Sequence, residues 1–298
     1  MNFKNIINRM KGASTRASCF GAPPVFTPGV RRGAPNLSEA DSREVARLMS
    51  EMESGGEAKP GQARLMGWDI EYADAGAMLS CIELLVLNRW NDFSTDNIRP
   101  RIIDCGANIG ISVLNYKRQF PDASILAFEP DPNLASILRR NLQKNQAGDV
   151  EVVEAAVWTE EGVKDFFVEG KDGGRLVNDQ QEFPHTQPVK TVDLAEYLTK
   201  EVDLLKMDIE GGEFELISHL AGKLAVVKNL IVECHLMSRD LAPLGRLLET
   251  IGSEGFHTGV NSYGAWRDLI SKSKSMAFFF DQYMLVAAWR EDQPSQTA

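Results

Sequence analysis

From Arg101 to Trp289, short apolar runs alternate with stretches whose apolar positions recur every three or four residues. The runs predict strands at 101–105, 124–129, 150–153, 203–208, 229–233, 255–260 and 283–289, with helices between them. Most of these runs are continuously apolar rather than alternating, as expected of strands covered on both faces. Seven strands with intervening helices predict an α/β domain, a doubly wound, seven-stranded, mostly parallel sheet of Rossmann-like form.

Upstream the pattern changes. Ser38 to Met52 reads as a helix, with Glu and Arg interleaved among Val45, Leu48 and Met49. A break, SGGEAKPG, precedes a strand pair around LMGWDIEYAD and an apolar helix, AMLSCIELLVLNRW. The expected organisation is an arm with one helix (1–60), a small cap (61–99), the main domain (100–291) and a mobile tail (292–298). Residues 21–35, GAPPVFTPGVRRGAP, are irregular because Pro fixes φ and removes donors. Residues 1–32 hold Lys4, Arg9, Lys11, Arg16, Arg31 and Arg32 but no acid, and Phe3, Ile6, Ile7 and Met10 fall at helical spacing. Peripheral contact with an anionic membrane is one reading of this segment; a helix on its own domain, or a frayed arm, is the other.

Composition narrows the partners. With a formal charge of −10 over 298 residues, the chain lacks the surplus of Lys and Arg that phosphate backbones require, so nucleic acid is not expected. Cys19, Cys81, Cys105 and Cys234 are scattered, without metal or disulfide spacing. No apolar run approaches the roughly 20 residues of a membrane span, and a soluble, cytoplasmic protein is expected.

The chemistry begins at RIIDCGANIG (101–110). In a doubly wound sheet the loop after the first strand meets the ligand. A G-x-G-x-x-G turn for a pyrophosphate is absent; Asp104 precedes Gly106, and Ala107, Asn108 and Gly110 follow. An acid for an ammonium and helix N-terminal amides for a carboxylate suit a cationic nucleoside without phosphate, S-adenosylmethionine. Glu129, 25 positions after Asp104, ends the second strand where an acid meets ribose hydroxyls, and Pro130 turns the chain. Ala155 and Ala156 offer backbone to an adenine edge.

Taken together, IIDCGANIG, AFEPDP, VDLLKMDIEGGEFELI and IVECH resemble the FkbM-type family of class I S-adenosylmethionine-dependent methyltransferases, from about Arg101 to about His235. The cap from Gly67 to Trp90 resembles a branch of that family. The resemblance implies methylation of a hydroxyl on a sugar, glycan precursor or natural-product intermediate. It puts the family's sites at Asp104, Gly106, Asn108, Gly110, Glu129 and Asp208.

An alcohol needs its proton removed before it attacks, by a base or through a bound cation. Asp208 ends the fourth strand; Glu233 and His235 end the fifth, two apart and so on one side. A neutral His235, oriented by a carboxylate, is the first choice of base. The same trio also suits a divalent cation such as Mg²⁺, and the alternative stays open. Lys206 either pairs with an acid or reaches solvent along its stem. Glu213, in a helix's first turn, is expected to be structural. Arg175 is a candidate for an anionic acceptor, and His185 for a loop contact; His219 and His257 are expected to pack. A nicotinamide-dependent oxidoreductase and a non-catalytic module on the same fold are the rival readings.

Overall fold

The computed structural model describes residues 37–54, 59–169, 173–177, 185–236, 241–263 and 282–290. The basic N-terminal segment, the Pro- and Gly-rich stretch and the C-terminal tail lie outside the described residues. Among the described residues no helix is long and apolar enough to cross a membrane.

Helix α1 (Glu39–Ser54) is opened by Ser38, whose Oγ accepts the Asp41 amide at 3.0 Å. Its Val45, Ala46, Leu48 and Met49 turn inward. Strands β1 (Gly61–Leu65) and β2 (Trp68–Tyr72) form an antiparallel hairpin. Met66 and Gly67 between them both have positive φ, 54° and 87°, the geometry a two-residue hairpin turn favours. Helix α2 (Ala75–Cys81), capped by Asp74 Oδ1 on the Ala77 amide, runs into a π-helical stretch, Ile82–Leu87.

The main sheet has the order β12-β13-β11-β10-β3-β4-β5. Its strands are β3 (Arg101–Cys105), β4 (Ser124–Phe128), β5 (Glu151–Val153), β10 (Val202–Met207), β11 (Val227–Leu236), β12 (His257–Tyr263) and β13 (Gln282–Trp289). The first five are mutually parallel, and β13 is antiparallel to both β11 and β12. The chain steps outward from β3 to β4 and β5, then returns to lay β10 on the other side of β3. The β3/β10 junction is therefore the switch point, where a crevice opens beyond the strand ends.

One face carries helix α3 (Ile111–Gln119) and helix α4 (Pro132–Lys144), whose Ile111, Leu114, Leu134 and Leu138 pack with Leu65, Ile70, Met78 and Ile82 of the upstream segment. Cap and sheet thus share one core, each fully buried aliphatic side chain worth about 1.5–3 kcal/mol. Helices α5 (Glu213–His219) and α6 (Ala242–Ser253) cover the other face with Leu216, Ile217, Leu247 and Ile251.

Two asparagines on α4 join the hairpin to the sheet domain. Asn141 accepts the Glu71 amide at 2.8 Å and returns Nδ2 to the Glu71 carbonyl at 2.9 Å; Asn145 does the same for Asp69 at 2.9 and 3.0 Å. Asn141 Nδ2 also reaches the Ile109 carbonyl at 2.9 Å, so the cap is tied directly to the loop after β3.

The structure adds a sheet that the hydrophobic pattern did not predict. Strands β6 (Ala156–Trp158), β7 (Gly162–Phe167), β8 (Arg175–Leu176) and β9 (Thr186–Asp193) form a second sheet in the order β6-β9-β7-β8. β6 and β8 have only three and two residues, β9 carries Pro188 among polar neighbours, and the buried cluster of the sheet is Ala156, Phe166 and Val189. Strands with so little apolar surface give no periodic signal.

Candidate active site

The loop after β3 is shaped by close backbone contacts. Gly106 has φ 82°, and a Cβ there would lie 1.8 Å from the Asp208 carbonyl oxygen. Gly110, at φ 93°, would meet Leu138 Cδ1 at 2.5 Å. The two glycines are needed because the loop crosses the end of β10 and α3 seats against α4. Asn108 takes the left-handed conformation at φ 49°, which Asn tolerates, with Oδ1 accepting the Ile109 amide at 2.7 Å.

Glu129 is fixed at both oxygens: Oε1 accepts the Asp131 amide and Oε2 the Asn108 amide, each at 2.9 Å. Burial pushes its carboxyl up to about 7 even though both amides favour the charged form. Asp131 caps α4 through the Asn133 and Leu134 amides.

Asp104 is fully buried. Its Oδ2 accepts the Ser112 hydroxyl at 2.5 Å and its Oδ1 lies 3.1 Å from Lys206 Nζ. Asp104 thus forms an internal ion pair with a residue of the cavity wall. Lys206 in turn donates to the Gly106 carbonyl at 2.7 Å and stands 3.4 Å from Asp208 Oδ2. Burial disfavours its charge, but the Asp104 and Asp208 carboxylates outweigh that and hold it well above the usual lysine range. Of its two expected fates, it takes the pairing.

His235, at the end of β11, is buried between acids. Nδ1 lies 2.9 Å from Glu213 Oε1, and Nε2 lies 3.3 Å from Glu210 Oε1 and 4.0 Å from Asp208 Oδ1. Burial opposes its charge, yet Glu210 and Glu213 together raise it well above the ordinary imidazole range. The carboxylates at its two nitrogens favour the protonated ring over the neutral one. Glu233 is the group with a proton to exchange: burial, then the Asp208 charge, pushes its carboxyl up to about 8.

Asp208, Glu233 and His235 offer ligand atoms within 4.8 Å of one another. A divalent cation there would have to displace the proton that Glu210 and Glu213 favour on the His235 ring.

These groups open on a cavity of about 1170 Å³ at the switch point, more than one drug-sized ligand fills. Gly106, Ala107, Asn108, Glu129, Pro130, Ala156, Asp208, Glu233 and His235 all line it, whereas Asp104 and Gly110 stand behind the wall. The second sheet and the cap supply the remaining sides, including Trp158, Arg175, Ser80 and Leu84. Arg175 is buried, with its guanidinium 5.6 Å from the Phe167 ring centroid. His219 pairs with Asp193 at 2.9 Å, His257 stacks on Trp289, and His185 is exposed.

Sequence reasoning missed Glu210 and the reach of Glu213. Glu210 sits at φ 60° before Gly211 at 109°, a left-handed turn that swings its carboxylate to His235. Glu213, fully buried, accepts the Ile209 amide at 3.2 Å and the Gly211 amide at 3.0 Å besides its histidine contact. The available signal was an acid beside a glycine pair at a strand end.

The family described as the methyltransferase FkbM domain matches residues 104–273. Methyltransferase 1 of Beauveria bassiana is 29% identical over 184 residues, 53% of this chain and 73% of that protein. Methyltransferase sdnD of Sordaria araneosa is 29% identical over 189 residues, 51% and 73% of the two chains. Among solved structures, methyltransferase FkbM from Methylobacillus flagellatus aligns over 84% of this chain and 60% of its own, with 14% identity and a TM-score of 0.45.

Proposed function

Given that this chain belongs to the FkbM methyltransferase family, we propose that it transfers the methyl group of S-adenosylmethionine to a hydroxyl oxygen of a sugar, glycan precursor or natural-product intermediate. The observation that carries the reading is Glu129. A carboxylate held at both oxygens by backbone amides, on the cavity wall at a switch point, suits the paired hydroxyls of a ribose. Gly106, Ala107 and Asn108 bring backbone close beside it, and Ala156 lies at the adenine edge, so the residues present fit this cofactor.

When bound, S-adenosylmethionine supplies an electrophilic methyl carbon on a sulfonium that leaves as a neutral thioether. Asp208, between Lys206 and His235, holds the acceptor hydroxyl. Glu233 takes the hydroxyl proton as the oxygen attacks, the C–O bond forms and the C–S bond breaks. Glu210 and Glu213 are positioning residues that fix the His235 ring. The cap and the second sheet exclude water from the cavity, and alignment of nucleophile, carbon and sulfur supplies most of the acceleration. No step runs through a metal.

Family membership answers the oxidoreductase and non-catalytic rivals. The test of the finer reading is incubation with methyl-labelled cofactor and a panel of nucleotide sugars and glycolipid precursors, with and without a chelator. A gain of one methyl on oxygen, unchanged by the chelator, is expected. Methyl transfer to nitrogen or carbon would overturn the hydroxyl assignment, and loss of turnover on chelation would overturn the metal-free mechanism.

A further inference from the structure

Strand β13 runs antiparallel to β11 and sets Tyr283 directly opposite His235, one same-face pair beyond Glu233 and Leu285. The two rings meet edge to face, with centroids 5.4 Å apart and planes at 83°. The described aromatic residues lining the cavity are Phe128, Trp158, Phe166, Phe167 and Tyr283. The phenylalanines are buried, whereas Trp158 and Tyr283 keep part of their surface open. Trp158 is crowded: a Cβ on Gly212 would come within 2.9 Å of its Cζ3, and Lys164 Nζ stands 5.6 Å from its ring centroid. Tyr283 is therefore the aromatic surface beside the reacting groups.

Those groups lie about one ring away. Side-chain atoms of Asp208, Glu233 and His235 come within 4.8 Å of one another, and successive pairs on one face of a strand are about 7 Å apart. A hydroxyl placed between Asp208 and Glu233 thus puts the group that bears it against His235 and Tyr283. The lining there is charged, with Asp208, Glu210 and Glu233 on one side and Arg175 of β8 on another. Arg175 is near enough for the charges of Glu210 and Tyr283 to act on its guanidinium. Polar groups on several sides and a flat aromatic surface on one match an amphipathic ring, with hydroxyls at its rim and C–H bonds on its face.

We propose that Tyr283 positions the acceptor: a polyhydroxylated ring, such as a pyranose, lays its C–H face on the tyrosine and so brings one rim hydroxyl between Asp208 and Glu233. This rests on the methyl-transfer reading above and narrows its acceptor to a sugar ring. Tyr283 lies beyond residues 104–273, so a residue outside the stretch matched by the family selects the substrate. The contact with His235 holds the tyrosine ring in place, and β12 backs it through the Tyr263–Tyr283 pair.

Steady-state kinetics on the full chain test it, with S-adenosylmethionine, a panel of nucleotide sugars, and sn-glycerol 3-phosphate as an open-chain alcohol. The best nucleotide sugar should exceed glycerol 3-phosphate in kcat/KM by about tenfold or more. For that sugar, Tyr283→Ala and Tyr283→Leu should each raise the acceptor KM about three- to tenfold, the size of one aromatic contact. S-adenosylhomocysteine affinity, read by calorimetry, should stay within about twofold, because the tyrosine does not touch the cofactor. Tyr283→Phe keeps the ring and should restore the wild-type KM. A fall in kcat at unchanged KM, in variants that melt like the wild type, would assign Tyr283 to holding His235 and overturn the acceptor role. A loss in Tyr283→Phe as large as in Tyr283→Ala, or equal methylation of glycerol 3-phosphate, overturns the ring contact. If S-adenosylhomocysteine binds and no sugar gains a methyl, this inference falls while the cofactor reading stands; if it does not bind, the reading beneath fails.

Discussion

Glu213 Oε1 stands 2.9 Å from His235 Nδ1 while the same carboxylate receives the Gly211 amide at 3.0 Å, so one buried acid binds the turn after β10 to the end of β11. Glu213→Ala leaves His235 and two amides short of an acceptor. A loss of about 3–5 kcal/mol in unfolding free energy is expected, with a smaller loss for Glu213→Gln. Urea titration measures both.

His235 also makes stability depend on pH. Its folded-state value is raised above the ordinary 6.5 by Glu210 and Glu213 acting against burial. The stabilisation is therefore complete below pH 6.5 and is lost as pH rises through the folded value. His235→Gln should cost most in acid and least in alkali. A difference from the wild type that does not shrink with rising pH contradicts the imidazolium.

Lys206 is 4% exposed in its side chain and Asp104 0%. Lys206→Met strands a buried carboxylate and should cost about 3–5 kcal/mol. Adding Asp104→Asn should recover part of that, because the stranded charge goes. A double-mutant cycle by chemical denaturation gives the coupling, and simple additivity would show that the pair is not coupled.

Glu233 accepts a proton only when ionised, and its carboxyl is pushed up to about 8. Turnover should rise with pH through about 8 and level above it. Glu233→Gln should lower turnover by about 10²–10⁴ with little change in S-adenosylhomocysteine affinity. Steady-state rates across pH, beside calorimetry, separate this from a role in binding.

Glu129 is pushed up to about 7 by burial, so its charged form grows as pH rises through that value. S-adenosylhomocysteine should bind more tightly over that rise. Glu129→Gln should weaken binding about tenfold at alkaline pH and flatten the dependence, as read by calorimetry at several pH values.

The central strands β3, β10 and β11 were legible because strands buried on both faces are apolar over most of their length. β4 and β11 came within a few residues of their observed ends. The strands of the second sheet were not legible. A strand such as β9, with Pro188 and polar neighbours, depends on its pairing with β7 and β6 rather than on its own apolar content.

What the sequence determined alone was the fold, the loop at Gly106 to Gly110 and the set of acids at strand ends, because these follow from local period and from residue type. What only the tertiary structure decided was the direction in which each acid points and the charge each group carries. Asp104 and Glu129 look equivalent along the chain, yet one is bound inward to Lys206 and the other lines the cavity. His235 reads as a neutral base until Glu210 and Glu213 are found on either side of it. Proton affinity depends on burial and on charges a few ångströms away, which the order of residues does not state.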